Sequence, residues 1–177
     1  PVVEASAFLD LTPYIVHYRA AGLEVDTAGK VQMKNRVIAK LSRREVASKF
    51  MQPAPAGLLD QLLRDGKISE LQANLARQVP VADDVTVEAD SGGHTDNRPL
   101  VCLMPAMLAL RDEIQAKYGD EQPVRVGAAG GISTPASALA AYVMGAAYIA
   151  TGTVNQACQE SGACDYTKGL LAKASMA

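Results

Sequence analysis

The chain has 177 residues, 49% of them hydrophobic and 20% charged, which fits one ordinary globular domain and excludes a disordered segment. Seventeen basic against nineteen acidic residues give a net charge of −2 and a pI near 5.7, a balance that argues against a surface made for nucleic acid or anionic lipid. No apolar run approaches the roughly 18 residues of a membrane span. The three cysteines, Cys102, Cys158 and Cys164, have neither metal-site spacing nor a disulfide framework, so a cytoplasmic, reducing setting is expected.

The chain starts at Pro1, directly in the apolar run 2–8, and reads as a piece of a longer polypeptide. Residues 2–8 form the first predicted strand; others follow at 37–41, 85–89, 124–128 and 148–151. Several are near-continuous apolar runs, the pattern of parallel strands covered on both faces. Thr12-Pro13 opens a helix that ends near Gly22, because proline suits the first helical turn and glycine the exit. His17 falls inside that helix as a surface residue. Residues 42–84 hold no strand but two helical patterns, 57–64 and 71–78, the second announced by the capping-box spacing of Ser69 and Gln72. This region is expected to be a helical insertion in one βα connection. The basic run 40–49 reads as a solvated face, and Cys102 and Met104 as core. A helix is expected over 105–117, ended by Gly119, and another over 136–144, closed by Gly145. Strands alternating with helices mean a parallel α/β sheet, either doubly wound or a section of a (β/α)₈ barrel.

The loops decide between these. In Arg125-Val126-Gly127-Ala128-Ala129-Gly130-Gly131-Ile132-Ser133-Thr134-Pro135 a strand runs through adjacent glycines into a helix start. Glycines let main-chain N–H groups approach a ligand, and the helix N-terminus favours a phosphate. A second strand then ends in Ala150-Thr151-Gly152-Thr153 before another helical pattern. Two successive strand–glycine–helix units form the usual phosphate site of a (β/α)₈ barrel. Neither a G-x-G-x-x-G fingerprint nor a P-loop is present. The bland alternative is that Gly130 and Gly131 only make a tight turn. Glu88-Ala89-Asp90-Ser91-Gly92-Gly93-His94 follows the strand at 85–89, so His94 stands at the same end of the sheet, with a side chain suited to proton transfer. A metal would have to enlist Glu88, Asp90, His94 and Asp96, a poor set for zinc, and no metal is expected. Lys40, in an otherwise apolar strand, either neutralises an anionic ligand or snorkels to the rim.

These residues also carry a resemblance. Glu88-Ala89-Asp90-Ser91-Gly92-Gly93-His94 is similar to the E-A-x-G-G-H segment of the nitronate monooxygenase superfamily, with one extra residue, and the two glycine loops resemble its flavin-phosphate loops. More narrowly, residues 3–8, 50–55 and 90–99 resemble the PfaD family of trans-acting enoyl reductases of polyunsaturated fatty acid and polyketide synthases. The resemblance implies an α/β fold, a (β/α)₈ TIM barrel. Residues 1–177 would be its C-terminal part, strands four to eight, with the insertion at 42–84. It implies FMN as cofactor, NADPH as hydride donor, and an enoyl thioester on an acyl carrier protein as substrate. By this resemblance His94 would be catalytic, and Gly92, Gly93, Gly130, Gly131, Gly152 and Thr153 would bind the cofactor; Lys40, Glu88 and Ser91 are expected at the cofactor site beside them. The expected partners are acyl carrier protein domains and the remainder of the barrel. Alternatives from other classes are a flavin oxidase of the nitronate monooxygenase type and a non-catalytic scaffold in a synthase complex.

Overall fold

The computed structural model describes residues 1–6, 10–91, 93, 95–119 and 123–174. Its main sheet has five parallel strands: β1 (Val2–Ser6), β4 (Arg36–Leu41), β5 (Asp84–Glu88), β6 (Arg125–Ala129) and β7 (Ile149–Ala150). They lie side by side in chain order, so each connection crosses in the same sense. A doubly wound sheet would reverse direction at a switch point; this one does not, and it curls into a half-barrel. Among the described residues β1 and β7 pair on one side only.

Alternation along each strand sets the two faces. Val37, Ala39, Leu41, Val85, Val87, Val126 and Ala128 are at most 1% exposed and join the core shared with the helices. The alternate positions Lys40, Thr86 and Gly127 are register neighbours on the other face. Helix α1 (Pro13–Ala21) begins as expected: the Thr12 hydroxyl accepts from the Ile15 N–H, and Pro13 takes the first turn. In α4 (Glu70–Ala76) Ser69 and Gln72 form the full capping box. Helix α6 (Pro135–Val143) is capped in the same way by Thr134 and Ser137.

Three expectations need correction. The helix placed at 105–117 is α5 (Leu100–Tyr118), with Pro105 inside it. Leu103, Met104, Met107, Leu110 and Ile114 keep helical spacing across the proline, and this packing outweighs its penalty of about 3 kcal/mol. Cys102, on the other face of that helix, is exposed rather than core. The region 42–84 holds three helices, α2 (Arg44–Met51), α3 (Ala56–Arg64) and α4, not two. Helix α2 buries Ala47, Phe50 and Met51, and the basic residues around it are paired: Arg43 with Asp96, Arg44 with Glu113, Lys49 with Asp10. These side chains remain 41–48% exposed, so the run is a solvated face, as expected, with its charges paired.

An antiparallel ribbon, β2 (Leu23–Val25) with β3 (Val31–Met33), adds to the expected elements. Its turn is held by the Asp26 carboxylate, which accepts from the N–H groups of Ala28 and Lys30, and by Gly29 at φ +80°. Short helices α7 (Thr153–Ala157) and α8 (Asp165–Leu171) close the described chain, and neither has a buried residue. Among the described residues no helix is long and apolar enough to cross a membrane.

At the N-terminal ends of the strands, Asp83 ties the fold together. It receives Arg19 of α1 at 2.8 Å, Arg36 at 3.4 Å and the Val37 N–H at 2.8 Å. Arg19 also donates to the carbonyls of Pro80 and Asn35. Burial pulls the Arg19 guanidinium below its ordinary pKa, and Asp83 opposes that pull.

Candidate active site

A cleft of about 380 Å³ opens at the C-terminal ends of the strands. Lys40 comes from β4, Glu88 from the end of β5, Ser91 from the loop after it, Gly130 and Gly131 from the turn after β6, and Gly152 and Thr153 from the turn after β7; all line it. Gly93 is described but does not line the cleft, and Gly92 and His94 lie outside the described residues.

The two glycine turns play different parts. Gly130 has φ +97°, and a Cβ there would stand 2.4 Å from the Ala89 carbonyl oxygen, so the close approach of two backbones itself demands glycine. Gly131, at φ +67°, also needs the left-handed region. Gly152 is unlike both: its φ is −110° and a Cβ would meet no atom within 4 Å. Among the described residues the N–H groups of Gly131, Ile132 and Thr153 have no acceptor in the chain. Two turns with unengaged amides on one cleft fit the phosphate of a cofactor such as FMN.

Lys40 does not reach the cleft as a free cation. Its ammonium stands 3.3 Å from Glu88 and 3.6 Å from Glu4. Burial pulls its pKa down, but Glu88 and Glu4 outweigh that and hold it above the ordinary lysine value. Holding an anion therefore falls to the main-chain amides, with Lys40 turned toward the two carboxylates. Glu4 is absent from the residues expected of the site, although a charge within an apolar strand is the same signal that singles out Lys40.

Of the carboxylates weighed as metal ligands, Glu88 faces Lys40 and Asp96 faces Arg43. Arg43 grips Asp96 with two prongs, Nε at 3.0 Å and Nη2 at 2.9 Å, and the Ser42 hydroxyl also donates to it. Arg43 first, then Ser42, hold the Asp96 carboxyl well below the usual carboxylate range. The group is therefore charged at all pH values above the ordinary range, and the clamp is lost only as pH falls well below it.

A tyrosine forms part of the same interior face. The Tyr148 ring lies over Gly127, where a Cβ would be 2.4 Å from ring carbons, and its hydroxyl shares a 2.7 Å hydrogen bond with Thr86. Burial pushes the phenol up to about 12 against the Thr86 bond, so it stays neutral at physiological pH. Replacing Gly127 with alanine displaces the ring and breaks that bond. A loss of about 1–3 kcal/mol of stability is expected, read as a lower thermal midpoint.

The fold and the cleft define a half-barrel with its site at the strand ends, the arrangement of TIM-barrel enzymes. The homologues of this chain are proteins of polyunsaturated fatty acid synthases and of polyketide biosynthesis, as residues 3–8, 50–55 and 90–99 suggest. A polyunsaturated fatty acid synthase protein of Thraustochytrium sp. is 55% identical over 175 residues, which is 98% of this chain and 8% of that protein. The polyketide biosynthesis protein PksE of Bacillus subtilis is 52% identical over 170 residues, 96% of this chain and 22% of that protein. The chain thus spans less than a quarter of these relatives. Among solved structures, the enoyl reductase domain of MlnA from the macrolactin cluster of Bacillus amyloliquefaciens has a TM-score of 0.88 at 38% identity, over 95% of this chain and 38% of that one. FabK from Thermotoga maritima, at 22% identity and a TM-score of 0.53 over 99% of this chain and 40% of that one, shares the fold. No protein-family model matches the chain.

Proposed function

We propose that residues 1–177 are the C-terminal part of an FMN-dependent enoyl reductase barrel, contributing its fourth to eighth strands, with residues 42–84 inserted in one βα connection. The reaction is reduction of the 2,3 double bond of an enoyl thioester on acyl carrier protein, in cytoplasmic polyunsaturated fatty acid or polyketide assembly. The observation that supports this reading most is the meeting of two glycine turns with Lys40, Glu88 and Ser91 in one cleft, in a chain 38% identical to an enoyl reductase domain.

FMN, when bound, would supply the redox chemistry, hydride transfer between NADPH and the β-carbon of the thioester. The amides of Gly131, Ile132 and Thr153 hold its phosphate, with Gly152 leaving room beside them. Lys40, paired with Glu4 and Glu88, lines the strand face of the cleft as part of that charged cluster and leaves the phosphate to the amides. Ser91 faces the cofactor from the loop that continues in sequence with Gly92 and Gly93, and His94 gives the proton to the α-carbon. The remainder of the barrel completes the cleft, and acyl carrier protein domains bring the substrate.

Full-length protein with His94→Ala is expected to remain yellow and to be reduced by NADPH, while turnover of a crotonyl-type thioester falls about 10²–10⁴-fold. Stopped-flow spectroscopy of the two half-reactions checks this. Wild-type turnover in the variant removes His94 from the mechanism, and a colourless wild-type protein removes the flavin.

A further inference from the structure

We infer that Ser42 and Arg43, at the junction of β4 and α2, are positioning residues for the loop after β5: by holding Asp96 they fix the part of that loop formed by residues 95–98, whose neck is closed by Asp90 and Arg98. The inference rests on the enoyl reductase reading for its chemistry, though its geometry does not. Among its described residues this loop has no helix or strand to fix it, so their placement comes from specific contacts.

Those contacts are in place. The Asp96 side chain is 17% exposed and accepts both prongs of Arg43 together with the Ser42 hydroxyl. A planar guanidinium against a carboxylate fixes direction as well as distance, which a lysine in its place does not. At the neck of the loop the Asp90 N–H donates to the Arg98 carbonyl at 3.0 Å, and the Thr95 hydroxyl donates to the Asp90 carboxylate at 3.2 Å. Asn97, directly after Asp96, has φ +52° and is the only non-glycine residue in the left-handed region among the described residues. Asparagine takes that conformation at small cost, and here it turns the chain directly after Asp96. Ser91, in the same loop, lines the cleft, one residue after Asp90, whose N–H and carboxylate bind Arg98 and Thr95. The clamp also spans two connections, since Ser42 and Arg43 belong to the turn after β4 and Asp96 to the loop after β5. Loops at this end of a barrel carry the chemistry, and a displacement of about 1 Å there costs about 10²-fold in rate.

The test uses full-length protein with Arg43→Ala, Arg43→Lys and Asp96→Asn. Amide hydrogen exchange over residues 90–98 is expected to quicken at least about tenfold in Arg43→Ala, with the strands of the sheet unchanged. Flavin content and the rate of its reduction by NADPH stay within about twofold, while the crotonyl-thioester half-reaction slows at least about tenfold; Arg43→Lys recovers part of both losses. Unchanged exchange in the loop overturns the clamp. Faster exchange with unchanged thioester turnover overturns its positioning role. Should Arg43→Ala fail to fold, Arg43→Lys and Asp96→Asn decide between the same outcomes. If the wild-type protein holds no flavin, the enoyl reductase reading fails, and hydrogen exchange still judges the clamp.

Discussion

Replacing Asp83 with alanine is expected to destabilise the full-length protein by about 3–5 kcal/mol, because it leaves the guanidinium of Arg19 buried without its counter-charge. Arg19 is 2% exposed, so water cannot take the place of the lost partner. The Val37 N–H and the nearer prong of Arg36 lose their acceptor in the same step. The carboxylate joins α1, through Arg19, to β4, through Arg36 and Val37, and Arg19 in turn donates to the carbonyls of Asn35 before β4 and Pro80 before β5. The apparent thermal midpoint should fall on the order of 10 °C. The double variant Asp83→Ala with Arg19→Met should be less destabilised than Asp83→Ala alone, because it removes the orphaned charge as well. A single variant that melts within about 1 °C of the wild type contradicts this account.

Gly130→Ala should be almost as damaging, for a different reason. The new methyl group requires φ +97° of an L-residue, and its carbon would sit 2.4 Å from the Ala89 oxygen and 2.7 Å from the Ala89 carbonyl carbon. Backbone cannot move aside as a flexible side chain can, so the ends of β5 and β6 must separate. A loss of about 2–4 kcal/mol is expected, together with loss of flavin, since both strands open onto the cleft. Gly152→Ala is the informative counterpart. Nothing in the chain lies within 4 Å of its added carbon and φ is −110°, so stability should change by no more than about 0.5 kcal/mol. Its affinity for FMN, followed by quenching of flavin fluorescence on titration into apoprotein, should nevertheless drop at least about tenfold. Equal affinity in Gly152→Ala and wild type would place the phosphate elsewhere.

The contrast between these glycines marks how far a sequence can be read. Both stand in strand–glycine–helix patterns, and both read as phosphate turns. Only the approach of Ala89 to Gly130 shows that one of them is demanded by the fold itself, whereas Gly152 answers to no neighbour in the chain. Lys40 teaches the same lesson. Its place in an apolar strand marks it as special, but its two carboxylate partners come from residues 36 and 48 positions away in the chain, brought together by strand pairing.

Local signals are sufficient wherever the cause is local. The caps at Thr12, Ser69 and Thr134, the apolar runs of β4, β5 and β6, and the turn at Gly145 all act over a few residues and are legible without a structure. The parallel pairing of the strands follows from the regular alternation of strand and helix, but their order does not, and only the glycine loops favour the barrel. Helix α2 also has a local signal, the apolar spacing of Val46, Ala47, Phe50 and Met51, but its charged residues mask it. The ribbon of β2 and β3 escapes because each strand has three residues, too few for a period to show. What no reading of the chain could supply is the set of contacts made across long separations: Arg43 on Asp96, Arg19 on Asp83, Tyr148 over Gly127. Those depend on which strand ends the curled sheet sets side by side, and a charge or an aromatic ring does not announce its partner until the backbone has brought the two together.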